Sequence, residues 1–161
     1  MSISRRRWLS LVPVPRFFPT LALVEPGEEV IYPDPGFPTY SAMIGVAGGV
    51  GVPIPLEEEN QFSFDLDVFD RKISDKTKLI ILNSPANPTG GVIPLDDLKH
   101  IAEKAQKHNA WILADEIYTR LVYDRMGSAP SIASISGMLD RTIIADGFSK
   151  TFSMTGWRLG Y

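Results

Sequence analysis

Three short segments of the chain gather the side chains that could do chemistry. Asn83-Ser84-Pro85-Ala86-Asn87-Pro88-Thr89-Gly90-Gly91 carries amides, Asp115-Glu116-Ile117-Tyr118 carries carboxylates and a phenol, and Asp146 to Arg158 carries Ser149, Lys150 and Arg158. A lysine amine can act as nucleophile or move a proton once a cationic neighbour or a desolvating pocket favours its neutral form. A carboxylate such as that of Asp115, where a site buries it, stabilises positive charge beside it. The guanidinium of Arg158 is a planar, permanently charged fork of hydrogen-bond donors. Each segment alone also has an ordinary explanation. Pro, Gly and Asn make loops, an Asp after a strand often caps a helix, and a lone Lys is usually on the surface. What favours chemistry is that all three recur at the same kind of place.

That place is the end of a strand. Lys78–Leu82 (KLIIL), Trp111–Ala114 (WILA) and Thr142–Ala145 (TIIA) each precede one of the segments. They are rich in Ile or Leu and lack strict polar alternation, as expected for a sheet covered on both faces. Glu28–Tyr32, after the Pro26-Gly27 turn, reads as a further strand. Val50–Pro55 reads as another, with Pro53 and Pro55 weakening it as a central one. Between the strands lie amphipathic segments. Pro38 opens a helix through Val46 that Gly48 and Gly49 end. Asp65 is the expected N-cap of Leu66–Lys72, whose Leu66 and Phe69 share a face. Leu95–His108 has the clearest pattern: Leu95, Leu98, Ile101, Ala102 and Ala105 make one stripe, with Asp96 and Asp97 in the first turn and Lys104 and Lys107 in the last. Pro94 suits its start and Asn109 its end. His100 and His108 on this helix read as surface residues rather than ligands, and no metal site is expected. Strands alternating with helices imply right-handed crossovers. The expected fold is α/β, a mostly parallel sheet flanked by helices, which binds ligands at the C-terminal ends of its strands.

Composition narrows the classes. The 161 residues suit about one domain, and 44% hydrophobic residues can build its core. Sixteen basic against nineteen acidic residues leave a net charge of −3, which disfavours an electrostatic hold on nucleic acid. No apolar stretch approaches the ~18 residues of a membrane span. The absence of cysteine excludes disulfides, thiolate metal sites and a cysteine nucleophile, and fits a cytoplasmic location. Residues 1–20 read as a separate, divergent or irregular arm ahead of a domain over residues 21–161. Arg5, Arg6 and Arg7 before Trp8-Leu9-Ser10-Leu11 have the outline of a twin-arginine signal, but Pro13, Pro15 and Pro19 interrupt the segment after them and no clear cleavage pattern is present.

The strings NSPANPTGG, ADEIY and GFSKTFSMTGWRLGY, with VEPGEEVIYPDPGFPTYSAM ahead of them, resemble the large domain of the class I/II pyridoxal-phosphate-dependent aminotransferases, the aspartate-aminotransferase-like enzymes of fold type I. The resemblance runs from about Leu21 to Tyr161. Its Ser-Lys…Gly-Trp-Arg-Leu-Gly-Tyr string is highly specific, its Asn-Pro-Thr-Gly loop moderately so, and DEIY alone is weak. The resemblance implies pyridoxal 5'-phosphate as cofactor, an amino acid and a 2-oxo acid as substrates, and a homodimeric parent; charge and hydropathy, as above, add the expectation of no nucleic-acid or membrane partner. It also implies roles. Lys150 holds the cofactor and, once displaced, moves a proton as base and then acid. Asp115 keeps the cofactor's ring nitrogen protonated. Tyr118 and Asn87 hydrogen-bond its phenolic oxygen, and Phe37 stacks on its ring. Arg158, with Ser149 as a weaker candidate, holds the phosphate.

A fold type I lyase or decarboxylase would use the same grip, and a catalytically dead cofactor-binding module is a third reading. Two departures from the family stand out. Ser10–Thr20 falls where the family has a glycine-containing turn whose amides bind the phosphate at a helix N-terminus, yet it holds no glycine. The family's small domain, with the arginine that grips the substrate carboxylate, has no counterpart before Tyr161. The expectation is a partial large domain without the C-terminal small domain, with transamination as the parent chemistry and the isolated fragment inactive.

Overall fold

Side chains alternate across each strand, and this alternation divides the core into two layers. The computed structural model describes residues 17–123 and 127–161. Five strands make one sheet: β1 (Glu29–Asp34), β2 (Val50–Pro55), β3 (Thr77–Asn83), β4 (Trp111–Asp115) and β5 (Thr142–Ala145). Their order is β2-β1-β3-β4-β5, and every pairing is parallel. Helices α1 (Phe17–Leu23) and α2 (Thr39–Val46) belong to one layer, where Val24, Tyr40 and Ile44 meet Val30, Leu79, Ile81 and Leu113. Helices α3 (Leu66–Lys72) and α4 (Leu95–Lys107) belong to the other, where Phe69, Leu98 and Ile101 meet Ile31, Ile80, Leu82 and Ile112. Adjacent residues of β3 and β4 thus feed opposite layers, which is why those strands read as continuous apolar runs.

Local signals account for most boundaries. Asp65 caps α3 by accepting the Val68 N–H at 2.9 Å, and Arg71 and Lys72 close its last turn. On α4 the buried stripe is Leu98, Ile101, Ala102 and Ala105; Leu95, expected on it, is exposed because it begins the helix. Asn109 ends that helix with a left-handed φ of 53°, a conformation asparagine tolerates better than most residues. The two prolines of β2 are accommodated because β2 is the edge strand beyond β1.

One expectation needs correction. Residues 17–20 are not irregular but open α1, in which Thr20 is buried. Pro19 sits in the first turn, where its missing N–H would have had no intrahelical partner anyway. The arginine cluster, the prolines at 13 and 15 and most of the glycine-free stretch lie outside the described residues.

The histidines are surface-side residues engaged by acids. His100 Nε2 lies 2.8 Å from Asp70 Oδ1, and His108 Nδ1 lies 2.9 Å from Asp75 Oδ1. Among the described residues no group of side chains is arranged to hold a metal ion. Nor is any described helix long and apolar enough to cross a membrane.

Candidate active site

Parallel register puts three strand ends at one level. Asn83 of β3 pairs with Asp115 of β4, and Asp115 pairs with Ala145 of β5. The chain therefore turns into its polar segments side by side, at the C-terminal edge of the sheet. The strand order supplies the other half of the site. From β1 the chain crosses outward to β2, then returns to β3 on the opposite side of β1, so the winding direction reverses between β1 and β3. Open α/β sheets bind ligands at such a reversal. Phe37 and Tyr40 follow β1, Asn83 ends β3 and Asn87 follows it. All four line the cavity that opens there.

This cavity has a volume of about 210 Å³. Every residue singled out from the sequence borders it: Phe37, Asn87, Asp115, Tyr118, Ser149, Lys150 and Arg158. Segments distant in the chain are thereby brought together around one space.

The floor of the cavity is firmly held. Asp115 is 2% exposed, and its Oδ2 accepts a hydrogen bond from the Tyr40 hydroxyl at 2.6 Å. Tyr40 is itself buried, in the first turn of α2, and meets the ring of Phe37, just ahead of that helix, edge-on at 5.9 Å. Asn83 ties the two neighbouring strand ends together. Its Nδ2 donates to the Asp115 carbonyl at 3.0 Å, and its Oδ1 accepts the Asn87 N–H at 2.8 Å. Asn83 thus sets the backbone that presents Asn87.

The opposite wall is a loop. From Asp146 to Tyr161 there is no α-helix, only turns, one short 3-10 segment, Thr155–Trp157, and an antiparallel bridge between Gly147 and Gly160. The loop closes on itself at its base. Asp146 and Tyr161 exchange two backbone hydrogen bonds of 2.8 Å, and the Phe148 N–H donates to the Leu159 carbonyl. Gly147 is required at this closure, since a Cβ there would lie 2.8 Å from the Leu159 carbonyl oxygen. The Tyr161 hydroxyl donates to Asp146 Oδ2, and Asp146 Oδ1 accepts the Gly147 N–H.

Lys150 and Arg158 are both exposed on this loop. Lys150 was expected beside a cation or in a desolvating pocket; instead its Nζ stands over the Tyr118 ring, 5.5 Å from the centroid. Arg158 adopts a left-handed conformation, φ 54°, and its guanidinium donates to the Thr155 carbonyl at 2.7 Å.

Sequence reasoning missed several residues here. Tyr40 had a signal, as the aromatic residue in the first turn of the helix that Pro38 opens just after Phe37. Asn83 had one too, as the first polar residue after KLIIL. Asp146 and Glu116 had none that separates them from ordinary strand-end acids. Burial pushes the Glu116 carboxyl up; the Ser131 hydroxyl pulls it partly back, and Asp146 and Asp115 add to the rise. Burial likewise raises the Tyr161 phenol, helped by its bond to Asp146.

Similarity to known proteins points in one direction. The family model for aminotransferase class I and II matches residues 15–161. An aspartate aminotransferase of Pyrococcus abyssi is 46% identical over 140 residues, covering 87% of this chain and 36% of that protein. Aromatic-amino-acid aminotransferase 2 of Thermococcus litoralis is 47% identical over 134 residues, 83% of this chain and 34% of its own length. Among solved structures, the aromatic aminotransferase from Pyrococcus horikoshii OT3 superposes with a TM-score of 0.88 at 42% identity, over 94% of this chain and 41% of that one. The aspartate aminotransferase of Thermus thermophilus with maleate gives a TM-score of 0.86 at 35% identity, over 94% of this chain and 39% of that one. The chain spans little more than a third of the length of the curated relatives it matches.

Proposed function

Because the chain belongs to the aminotransferase class I and II family, we propose that its cavity is the cofactor half of an active site exchanging an amino group between an amino acid and a 2-oxo acid. The cofactor of this reading is pyridoxal 5'-phosphate. The observation that carries it is the convergence of an amine, a buried carboxylate, a phenol, an amide, a guanidinium and an aromatic face on one cavity. That donor set fits the group: one amine for its aldehyde, one carboxylate for its ring nitrogen, cationic and polar donors for its phosphate. Bound there, pyridoxal 5'-phosphate supplies an electron sink for the charge left when a substrate loses its Cα proton.

The remaining work belongs to the protein. Asp115, fixed by Tyr40, holds positive charge at the cavity floor in surroundings where a charge is felt strongly. Lys150 is the covalent anchor and the group that takes a proton at substrate Cα and returns it. Tyr118 and Asn87 would hydrogen-bond the ring's phenolic oxygen, and Phe37 would offer an aromatic surface to the ring. Arg158, with Ser149 beside Lys150, would hold the phosphate in charge-assisted hydrogen bonds. A second copy of the chain, as in a homodimer, belongs to the same reading.

Mixing the purified chain with pyridoxal 5'-phosphate is expected to give a visible absorption band that an added amino acid shifts. Borohydride reduction then leaves a covalent mass increment on Lys150. Lys150→Ala is expected to show neither band nor increment. Identical spectra for the two proteins would overturn the assignment.

A further inference from the structure

Glu116 is a half-buried carboxyl for which the proposed chemistry has no use, although it directly follows Asp115. The two side chains leave β4 on opposite sides. Asp115 continues the parity of Leu113, which faces the α1–α2 layer; Glu116 continues that of Ile112 and Ala114, which face the α3–α4 layer. The Glu116 N–H donates to the Ala145 carbonyl at 2.9 Å and so extends the β4–β5 pairing by one residue. The direction of its side chain is therefore set by the sheet.

That side chain ends on Ser131, whose hydroxyl donates to Glu116 Oε1 at 2.5 Å. Ser131 is itself anchored. It caps the 3-10 turn Ile132–Ser134, accepting the Ala133 N–H, and Ile132 is 2% exposed in the α3–α4 layer. Between Glu116 and Ser131 the chain leaves the sheet and comes back, and Tyr118 is on the outgoing limb. The limb turns tightly, with the Thr119 N–H bonded to the Glu116 carbonyl and the Leu121 N–H to the Tyr118 carbonyl. Among the described residues, a backbone bond from the Ala129 N–H to the Thr119 carbonyl closes the excursion just beyond Tyr118. The Glu116–Ser131 contact closes it just before.

We infer that Glu116, through its hydrogen bond with Ser131, is the positioning residue that sets the Tyr118 ring against Lys150. The link from this clasp to cofactor binding rests on the function proposed above; the clasp itself does not. A free limb would let Tyr118 leave the 5.5 Å contact with Lys150 Nζ. The titratable groups that act on or feel Glu116 are Asp115, Asp146 and Tyr161. Gln at position 116 removes the charge that those groups feel but keeps an oxygen for Ser131, so it separates the clasp from the electrostatics.

Two measurements test this. In the cofactor-free chain, amide hydrogen exchange at Ile117, Thr119 and Leu121 is expected to rise about tenfold in Glu116→Ala and Ser131→Ala, as for local opening of a loop. Glu116→Gln is expected to stay near wild type. No change at these amides, or an equal rise throughout β3 and β4, overturns the clasp. In a titration with pyridoxal 5'-phosphate, Ser131→Ala and Glu116→Ala are expected to bind about fivefold more weakly, the worth of one hydrogen bond. The same changes made in a Tyr118→Ala background are expected to add nothing, because the ring they position is gone. Persistence of the full effect in that background overturns the positioning role. If wild type fails to bind while the exchange pattern holds, the cofactor reading falls and the clasp stands.

Discussion

The strand ends beneath the cavity and the loop that walls it are built on opposite principles. Asn83 and Asp115 are buried, locked in register, and held by side-chain bonds of 2.6 to 3.0 Å. Lys150 and Arg158 are exposed, on a stretch without α-helix whose shape depends on a few contacts at its base. The groups proposed to hold charge are thus part of the domain's core, whereas those proposed to bond the cofactor hang from its rim. A fixed charge in a low-dielectric floor needs no rearrangement when a ligand arrives. An amine that must be attached, displaced and returned needs room, and an exposed loop provides it. Floor and loop should therefore separate stability from binding.

The widest separation is expected from truncations of matched apolar character. Leu113 is fully buried two residues before Asp115, whereas Phe152 is 51% exposed two residues after Lys150. Leu113→Ala is expected to cost about 2–5 kcal/mol, the transfer and cavity terms together. Phe152→Ala is expected to stay within about 0.5 kcal/mol, as for surface changes generally. Urea unfolding of the two variants measures both. Comparable losses would mean that the loop is as much a part of the fold as β4.

A smaller effect reads the same contrast from the loop side. Gly147→Ala places a methyl group 2.8 Å from a backbone oxygen, so the closure between Gly147 and Leu159 must open. The expected cost is about 1 kcal/mol, at the low end for overpacking because the loop can yield. Attachment of pyridoxal 5'-phosphate to Lys150, followed by reduction and mass measurement, is expected to fall far more than stability does. A variant that labels normally would show that the closure does not govern Lys150.

The two regions also differ in how far the sequence disclosed them. Strand cores and capped helices were legible because local chemistry sets them: the Asp65 cap, the α4 stripe and the run KLIIL point to their elements without help from the rest of the chain. Strand order was not, since no local pattern says that β3 returns to the far side of β1. The prolines of β2 carried the nearest hint, by arguing against a central strand. At the site, the residues of the three polar segments could be placed at strand ends from pattern alone, but their roles rested on the family resemblance. Tyr40 and Glu116 act through partners 75 and 15 positions away, Asp115 and Ser131. Such pairings are made by topology, which no window along the chain contains. The helix over Phe17–Leu23 was hidden by Pro19, a residue that breaks a helix interior but not its first turn.

The smallest expected effect compares the site with the opposite surface through pH. Burial acts to raise the Asp70 carboxyl, but hydrogen bonds from Lys104 and His100, together with their electrostatic attraction, outweigh it, and the net direction is downward. Glu116 moves the other way. An acid lowered on folding contributes stability that is present above its unfolded value near 4 and lost as pH falls through the folded value. An acid raised on folding contributes below its unfolded value and loses that contribution as pH rises through the folded one. The Asp70 side chain is 35% exposed, so its bridges between α3 and α4 are screened and worth no more than about 1 kcal/mol. Asp70→Asn is expected to lower the urea midpoint slightly at neutral pH and to match wild type once the pH is well below 4. Glu116→Gln is expected to leave acid stability unchanged and to gain on wild type as pH rises above about 4.5, because only wild type must then ionise a half-buried acid. Chemical unfolding across that range checks both signs in one series. Parallel rather than opposed curves would mean that the environments of the two acids are alike, and the contrast between a screened surface and a desolvated strand end would not hold.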